Sequence, residues 1–160
     1  MEGIYSMFNN IGLNFNDLIA NYNEVIKYVS KKSDLFSMIS NLNKPYLKMP
    51  PNFEHEKIMK TLEPFLDKYI TGIKKWPGTI TTDNHKIMII YHSCKESREL
   101  LEKMPNFFLP LENRLPEDIC FFRNQNPWFV TTSHEKTAFV IGATREDVLF
   151  FQKNSIQIYD

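Results

Sequence analysis

Glycine is scarce in this chain of 160 residues, with five in all: Gly3, Gly12, Gly72, Gly78 and Gly142. They are too scattered to build a phosphate-cradling loop, which excludes nucleotide chemistry of the P-loop or dinucleotide-binding type. Cysteine is scarcer still. Cys94 and Cys120 form no CxxC pair and no metal-type spacing, a usage that suits a reducing compartment. Net charge is absent as well, because 19 basic residues face 19 acidic ones. No overall field therefore draws in nucleic acid or an anionic membrane. Arginine, which reads phosphates and base edges with two parallel bonds, occurs only at Arg98, Arg114, Arg123 and Arg145, and these do not cluster. Nucleic acid is not expected as a partner.

Long hydrophobic runs are also missing. The longest, Ile87–Tyr91, falls far short of the roughly 20 residues needed to span a bilayer. The opening segment MEGIYSMFNNIGLNFND lacks the basic start and apolar centre of a signal peptide. A soluble cytoplasmic protein without a membrane partner is the expectation. Lysine far outnumbers arginine, and asparagine and isoleucine are frequent, a bias that fits an AT-rich coding genome and points to a bacterium or its phage. A chain of this length can bury roughly 70 % of its unfolded surface, so one domain over 1–160 is expected without a disulfide or metal staple.

What is present is a strand-rich end. Residues Pro116 to Asp160 read as strand, turn, strand, turn, strand, helix, strand. Ile119–Arg123, Trp128–His134 and Thr137–Ile141 are aromatic and β-branched runs separated by Asn124–Pro127 and Ser133–Lys136. Runs joined this tightly can only be antiparallel neighbours, because parallel pairs need long crossovers. Thr144 is expected to cap a helix over Arg145–Lys153, with Asn154 as a left-handed exit into a closing strand Ser155–Tyr159. A hairpin is expected upstream, Thr79–Thr82 with Lys86–His92, turning at Asp83-Asn84. Ser93 and Glu96 make a capping box for a helix that ends at Pro105.

The front half reads as helical. Phe15, Leu18, Ile19, Tyr22, Val25, Ile26 and Val29 fall on one stripe capped from Asn14 or Asn16. Ser33 can cap a second short helix carrying Leu35, Phe36, Ile39 and Leu42. The segment Lys44–Pro51, with three prolines, turns a corner, and Asn52 caps a third helix whose apolar face runs from Ile58 to Ile73. Pro64 should kink that helix or mark its restart. The fold class expected is therefore α+β, with a helical N-terminal part over 14–76 and a sheet-containing part over 79–160. In it an antiparallel sheet of five or six strands, a C-terminal β-β-β-α-β unit plus the preceding hairpin, packs against the N-terminal helical layer.

Chemistry is harder to find. Cys94 sits at a predicted helix start, where the dipole favours a thiolate, and His92 lies two positions earlier. They are the candidate catalytic pair, although Cys94 also reads as a small apolar residue filling the helix start with Ser93 as the cap, and no catalytic residue is assigned. Neither His55-Glu56 nor His134-Glu135 is the zinc-binding HExxH, because Met59 and Ala138 stand where the second histidine is needed. No metal or other cofactor is expected. The carboxylates Glu117-Asp118 and Glu96, Glu99 and Glu102 are accounted for by caps and solvated faces.

Four aromatic doublets stand out: Phe107-Phe108, Phe121-Phe122, Trp128-Phe129 and Phe150-Phe151. In a strand a doublet sends one ring to each face, so a sheet face that is only partly covered would present aromatic anchors. Arg123, Trp128, His134 and Glu135 are the residues expected at such a binding surface. The reading is a non-enzymatic cytosolic protein that binds a protein partner, or a second copy of itself, through an aromatic sheet face. An immunity or inhibitor role against a toxin fits that reading. The alternatives are a small-ligand-binding or regulatory domain, and a Cys–His hydrolase.

Overall fold

The computed structural model describes residues 10–41, 54–82, 85–109 and 116–160. Among them the chain runs β1 (Ile11–Leu13), α1 (Phe15–Ala20), α2 (Tyr22–Lys31), β2 (Leu35–Asn41), α3 (Glu54–Leu62) and a 3-10 turn (Glu63–Phe65). It continues through β3 (Leu66–Ile73), β4 (Lys75–Trp76), β5 (Thr79–Ile80), β6 (Lys86–His92) and α4 (Lys95–Lys103). It closes with β7 (Glu117–Arg123), β8 (Asn126–Thr132), β9 (Thr137–Val140), α5 (Arg145–Lys153) and β10 (Ile158–Tyr159). Eight strands form one antiparallel sheet in the order β10-β1-β9-β8-β7-β2-β6-β3, and β4-β5 form a separate pair. The α+β class holds, with more strands than the five or six expected.

The C-terminal unit forms as its sequence dictates. Asn124 and Gln125, both at positive φ, make the two-residue turn between β7 and β8 that matches the twist of the flanking strands. Thr144 caps α5, its Oγ accepting from the Asp147 N–H while an Asp147 oxygen accepts from the Thr144 N–H. The left-handed exit falls one residue later than expected, on Ser155 at φ +59° rather than Asn154, whose N–H still closes the helix on Phe150 O. β10 is correspondingly short.

Of three segments read as helices, one is broken in two, one is a strand, and one is a helix that gives way to a strand. Residues 14–31 form two helices, with Asn14 capping the first and a break at Asn21, yet the apolar stripe stays on one side. Residues 35–41 are the strand β2, paired with β6 on one side and β7 on the other. Its apolar spacing satisfies a helix, but a strand buried on both faces produces the same pattern, and pairing on both edges decides it. Phe36 and Met38 enter one core while Ile39 enters another. Finally, α3 ends at Leu62. Pro64 has no N–H to give and crowds the preceding turn, so the chain makes one 3-10 turn and runs on as β3. The N-terminal part is thus not a helical layer alone, since it supplies two strands of the main sheet, β2 and β3.

Two pairings also differ from expectation. β5 pairs with β4, leaving β6 between β2 and β3 instead of in a hairpin with 79–82. The cap of α4 is Cys94, whose N–H donates to Ser97 Oγ at 3.0 Å, while the Ser93 hydroxyl donates to Ser30 O at 2.7 Å. The turns proposed at Lys44–Pro51 and Asp83-Asn84, the Asn52 cap, and Pro110–Leu115 lie outside the described residues.

The five α-helices among the described residues all cover one face of the sheet. The main core there joins Leu18, Val25, Ile26, Leu62, Leu101 and Phe151 from helices to Phe36, Ile89, Phe121 and Phe129 from strands. Opposite-face alternation holds for Phe121-Phe122, of which only Phe121 is in that core. It fails for Trp128-Phe129. Phe121 pairs with Phe129 but Phe122 with Pro127, so β8 carries an extra residue at Trp128, and this bulge puts both rings on the helical side. Phe107-Phe108 lies in a turn and Phe150-Phe151 on α5, so strand alternation does not apply to either.

Candidate functional site

The other face is covered by the β4-β5 pair, a short flap that turns at Pro77-Gly78. Trp76 packs with Ile39, Met88 and Ile90 in a small second core flanked by Leu35 and Ile73. Its indole N–H donates to Asp118 Oδ2 at 2.9 Å, and this bond fixes the flap to the sheet. Asp118 is itself held in an unusual backbone state. β7 carries an extra residue opposite β2, and Asp118 sits there at φ +55°, a left-handed conformation that aspartate tolerates better than most residues. Its Oδ1 accepts from Ser133 N–H at 2.7 Å, and its own N–H donates to Ser133 Oγ at 3.1 Å. Burial pushes the Asp118 carboxyl above the ordinary range, against the opposing pull of the Ser133 and Trp76 bonds.

Gly78 brings the flap into contact with β8. At φ +88° it adopts a geometry that strains any L side chain, and a Cβ there would lie 2.8 Å from Thr132 Oγ1 and 3.1 Å from Val130 Cγ1. Gly78→Ala should therefore lift the flap, at a cost of about 1–3 kcal/mol in local strain. The reading is hydrogen exchange at the Thr81 amide, which donates to Lys74 O at 2.8 Å. Exchange there should quicken while the β6 amides keep their protection, and unchanged Thr81 exchange would show that the close contact is not holding the flap.

Between flap and sheet lies an open groove of about 770 Å³, walled by Trp76, Pro77, Met88 and Pro127 with Ile80 at its lip. The Ile80 side chain is 77 % exposed, and Ile70, which faces Met88 across the β3-β6 ladder, is 43 % exposed. Thr79 Oγ1 lines the same groove and is buried without a hydrogen-bond partner. Of seven large hydrophobic side chains exposed among the described residues, four (Leu66, Tyr69, Ile70 and Ile80) fall within 66–80. Ile70 and Ile80 lie on the flap side, whereas Leu66 and Tyr69 pair opposite Tyr91 and Ile89 on the other face of β3.

Glu117, Asp118 and His134 bring potential metal-ligand atoms within 4.8 Å of one another at the flap anchor. Each carboxylate is already engaged. Lys86 Nζ lies 2.9 Å from Glu117 Oε1, and both oxygens of Asp118 accept N–H bonds. Of the three, Asp118 fastens the flap, Glu117 pairs with Lys86 of β6, and His134 lies exposed beside them.

The residues expected at a binding surface divide into two groups. His134 and Glu135 are exposed on the β8-β9 turn, next to the flap anchor. Trp128 is 2 % exposed, its indole N–H donating to Ser33 Oγ at 2.7 Å. Arg123 lies over the Trp128 ring at 3.7 Å and donates twice to the Asp147 carboxylate, at 3.0 and 3.1 Å. The first two stand beside the flap, whereas the second two serve the helical side. Cys94 and His92 are not joined by a hydrogen bond. The Cys94 thiol contacts Ser97 Oγ at 3.5 Å, while His92 Nε2 lies 3.2 Å from Asp67 on β3. Glu96, on the first turn of α4, is held below the usual carboxylate range by its own backbone N–H and by the Cys94 thiol. The side chains of His55 and Glu56 lie outside the described residues.

The flap residues themselves escaped the sequence reading. Trp76-Pro77-Gly78 reads as a helix stop, yet Lys75-Trp76 and Thr79-Ile80 around a Pro-Gly turn are also the signature of a tight hairpin. The whole is thus defined as an α+β protein with helices on one sheet face and a β flap on the other. No family model, curated protein or solved structure matches this chain.

Proposed function

We propose that this chain is a non-catalytic protein-binding protein that holds a protein partner against the flap. The observation that carries the reading is the exposed Ile80 side chain at the lip of an apolar groove, with Ile70 beside it. An aromatic, a methionine and prolines at the centre, with Lys68, Lys75, His134 and Glu135 outside, is the composition of an interface core and its polar rim. Recognition runs through side chains rather than through a strand added to the β3 edge. That edge is broken by bulges at Asp67 and Gly72 and carries Lys68 between them, devices that discourage strand addition. A protein with such a surface acts by occlusion, and an immunity or inhibitor protein of a bacterial or phage toxin system, working in the cytoplasm, is the form we favour. No helix among the described residues is long and apolar enough to cross a membrane.

The test compares the wild type and Ile80→Asp as baits in parallel. Ile80 is largely in water, so the variant should keep the wild-type melting temperature. A partner held by the wild type should be retained at least roughly 10-fold less by the variant, as expected for a central anchor. The captured partner's activity should also fall when wild-type protein is added. Equal retention by both baits, or retention by neither, ends this reading.

A further inference from the structure

A second cavity lies on the opposite side of β3, under α3, with a volume of about 440 Å³. Its walls are apolar, formed by Met59, Leu66, Tyr69, Ile87 and Ile89, and at its base stands Tyr91. Tyr91 is 1 % exposed and stacks on Phe36 at 5.2 Å. Its hydroxyl donates to Met59 Sδ at 3.3 Å, and a thioether is a weak acceptor. A buried O–H donor normally finds an oxygen, so this one is under-satisfied and faces a space large enough for a small molecule. The mouth opens at the β3 edge, where Tyr69 and Leu66 are exposed and Lys60 and Glu63 flank the entrance.

We infer that this cavity is a binding site for a small, mainly apolar molecule carrying one uncharged oxygen acceptor, a ketone, ester or ether, placed against the Tyr91 hydroxyl. The chemistry selects that class. Burial pushes the Tyr91 phenol well above its ordinary range, so it stays protonated and keeps an O–H to donate, at present given only to the weak thioether acceptor. A carboxylate at the base would be buried without a counter-charge, which is costly, so the acceptor is neutral. Met59 is the flexible element: an unbranched thioether can swing away from Tyr91 as the ligand oxygen takes its place. A peptide is disfavoured, because the base offers a single donor where an extended backbone needs several partners.

The matched pair acetophenone and ethylbenzene tests this, because they share a shape and differ in the carbonyl. Affinities are measured by titration with NMR detection for wild type and Tyr91→Phe. Water also binds the ketone, so the deciding quantity is the ratio of the two affinities rather than either alone. The acetophenone-to-ethylbenzene affinity ratio should fall roughly 5- to 10-fold in Tyr91→Phe, the net value of one hydrogen bond. An unchanged ratio, or no binding of either probe to the wild type, overturns the inference. If Tyr91→Phe fails to fold, Met59→Leu decides instead. Removing the competing sulfur should raise the ratio, and an unchanged one counts against the site. Ile80→Asp lies on the other side of β3 and should leave both probes unaffected, so loss of the flap reading and loss of this one are told apart.

Discussion

Arg123→Ala is expected to destabilise the protein by about 3 kcal/mol, the lower end of what removing one partner of a buried ion pair costs. The lower end applies because the Arg123 side chain is 25 % exposed, whereas that of Asp147 is 1 % exposed. Without Arg123 the carboxylate keeps two donors, the Tyr28 hydroxyl at 2.8 Å and the Thr144 N–H at 2.9 Å, but no opposite charge. The stacking of Arg123 on Trp128 is lost as well. The pH dependence separates charge from packing. In the wild type, burial alone would raise the Asp147 carboxyl, but the bond from Arg123, those from Thr144 and Tyr28, and the Arg123 charge outweigh it and hold the carboxyl low. A depressed carboxyl adds stability that is complete above its unfolded value of about 3.9 and is lost as pH falls through the lower folded value. In Arg123→Ala burial, already the largest single cause, loses its main counterweight and the carboxyl rises. A raised carboxyl is penalised as pH climbs through its folded value, and the penalty disappears below about pH 4. Urea unfolding should therefore show a wide gap between the two proteins at neutral pH that narrows on acidification. A gap of equal size at both would mean that Arg123 contributes by packing on Trp128 alone.

Phe129→Ala should cost about 3–5 kcal/mol, the range for removing a fully buried aromatic ring. Phe129 is the centre of the aromatic core. Its ring lies 6.1 Å from both Phe108 and Phe121, 6.2 Å from Trp128 and 6.4 Å from Phe151, so β7, β8, α5 and the turn after α4 all meet on it. Helices and sheet converge there from both sides, and the cavity left behind has little freedom to collapse. Phe122→Ala is the control. That ring is only half-buried on the flap side and should cost less than half as much. Equal losses measured by urea unfolding would show that the flap side carries as much of the stability as the helical side.

The fold was legible where local signals and tertiary pairing agree. Thr144 caps α5 and Asn14 caps α1 because a short polar side chain before an apolar period has few other uses. Lys86–His92 reads as a buried strand because IMIIY is apolar on both faces. The failures at 35–41 and 66–73 share one cause. Leu35, Phe36 and Ile39, like Leu66, Tyr69, Ile70 and Ile73, recur at steps of three and four residues, which a helix satisfies as well as a strand with apolar side chains on both faces, the first buried and the second an exposed edge. Only their neighbours in space separate the two, and those lie on β6 and β7. The candidate site was less legible still. A surface at the flap required knowing that Ile70 lies on an edge strand instead of on the covered face of a helix. Arg123 and Trp128 look like interface residues in one dimension, but the bulge at Trp128 turns that ring into the helical core, where Arg123 stacks on it and pairs with Asp147.

The strand order has a consequence for how the molecule is made. Asn14 and Tyr159 touch across 145 positions, through Nδ2 and Oη at 2.9 Å, and β2 must wait for β6 and β7 before either of its edges is satisfied. A ribosome releases the chain at about 5–20 residues per second. For seconds, then, Phe36, Met38 and Ile39 leave the exit tunnel with both ladders open, a template for pairing with any other nascent strand. The sheet closes only once β10 has been synthesised, so a holdase chaperone that shields β2 in the meantime should raise the yield of folded protein.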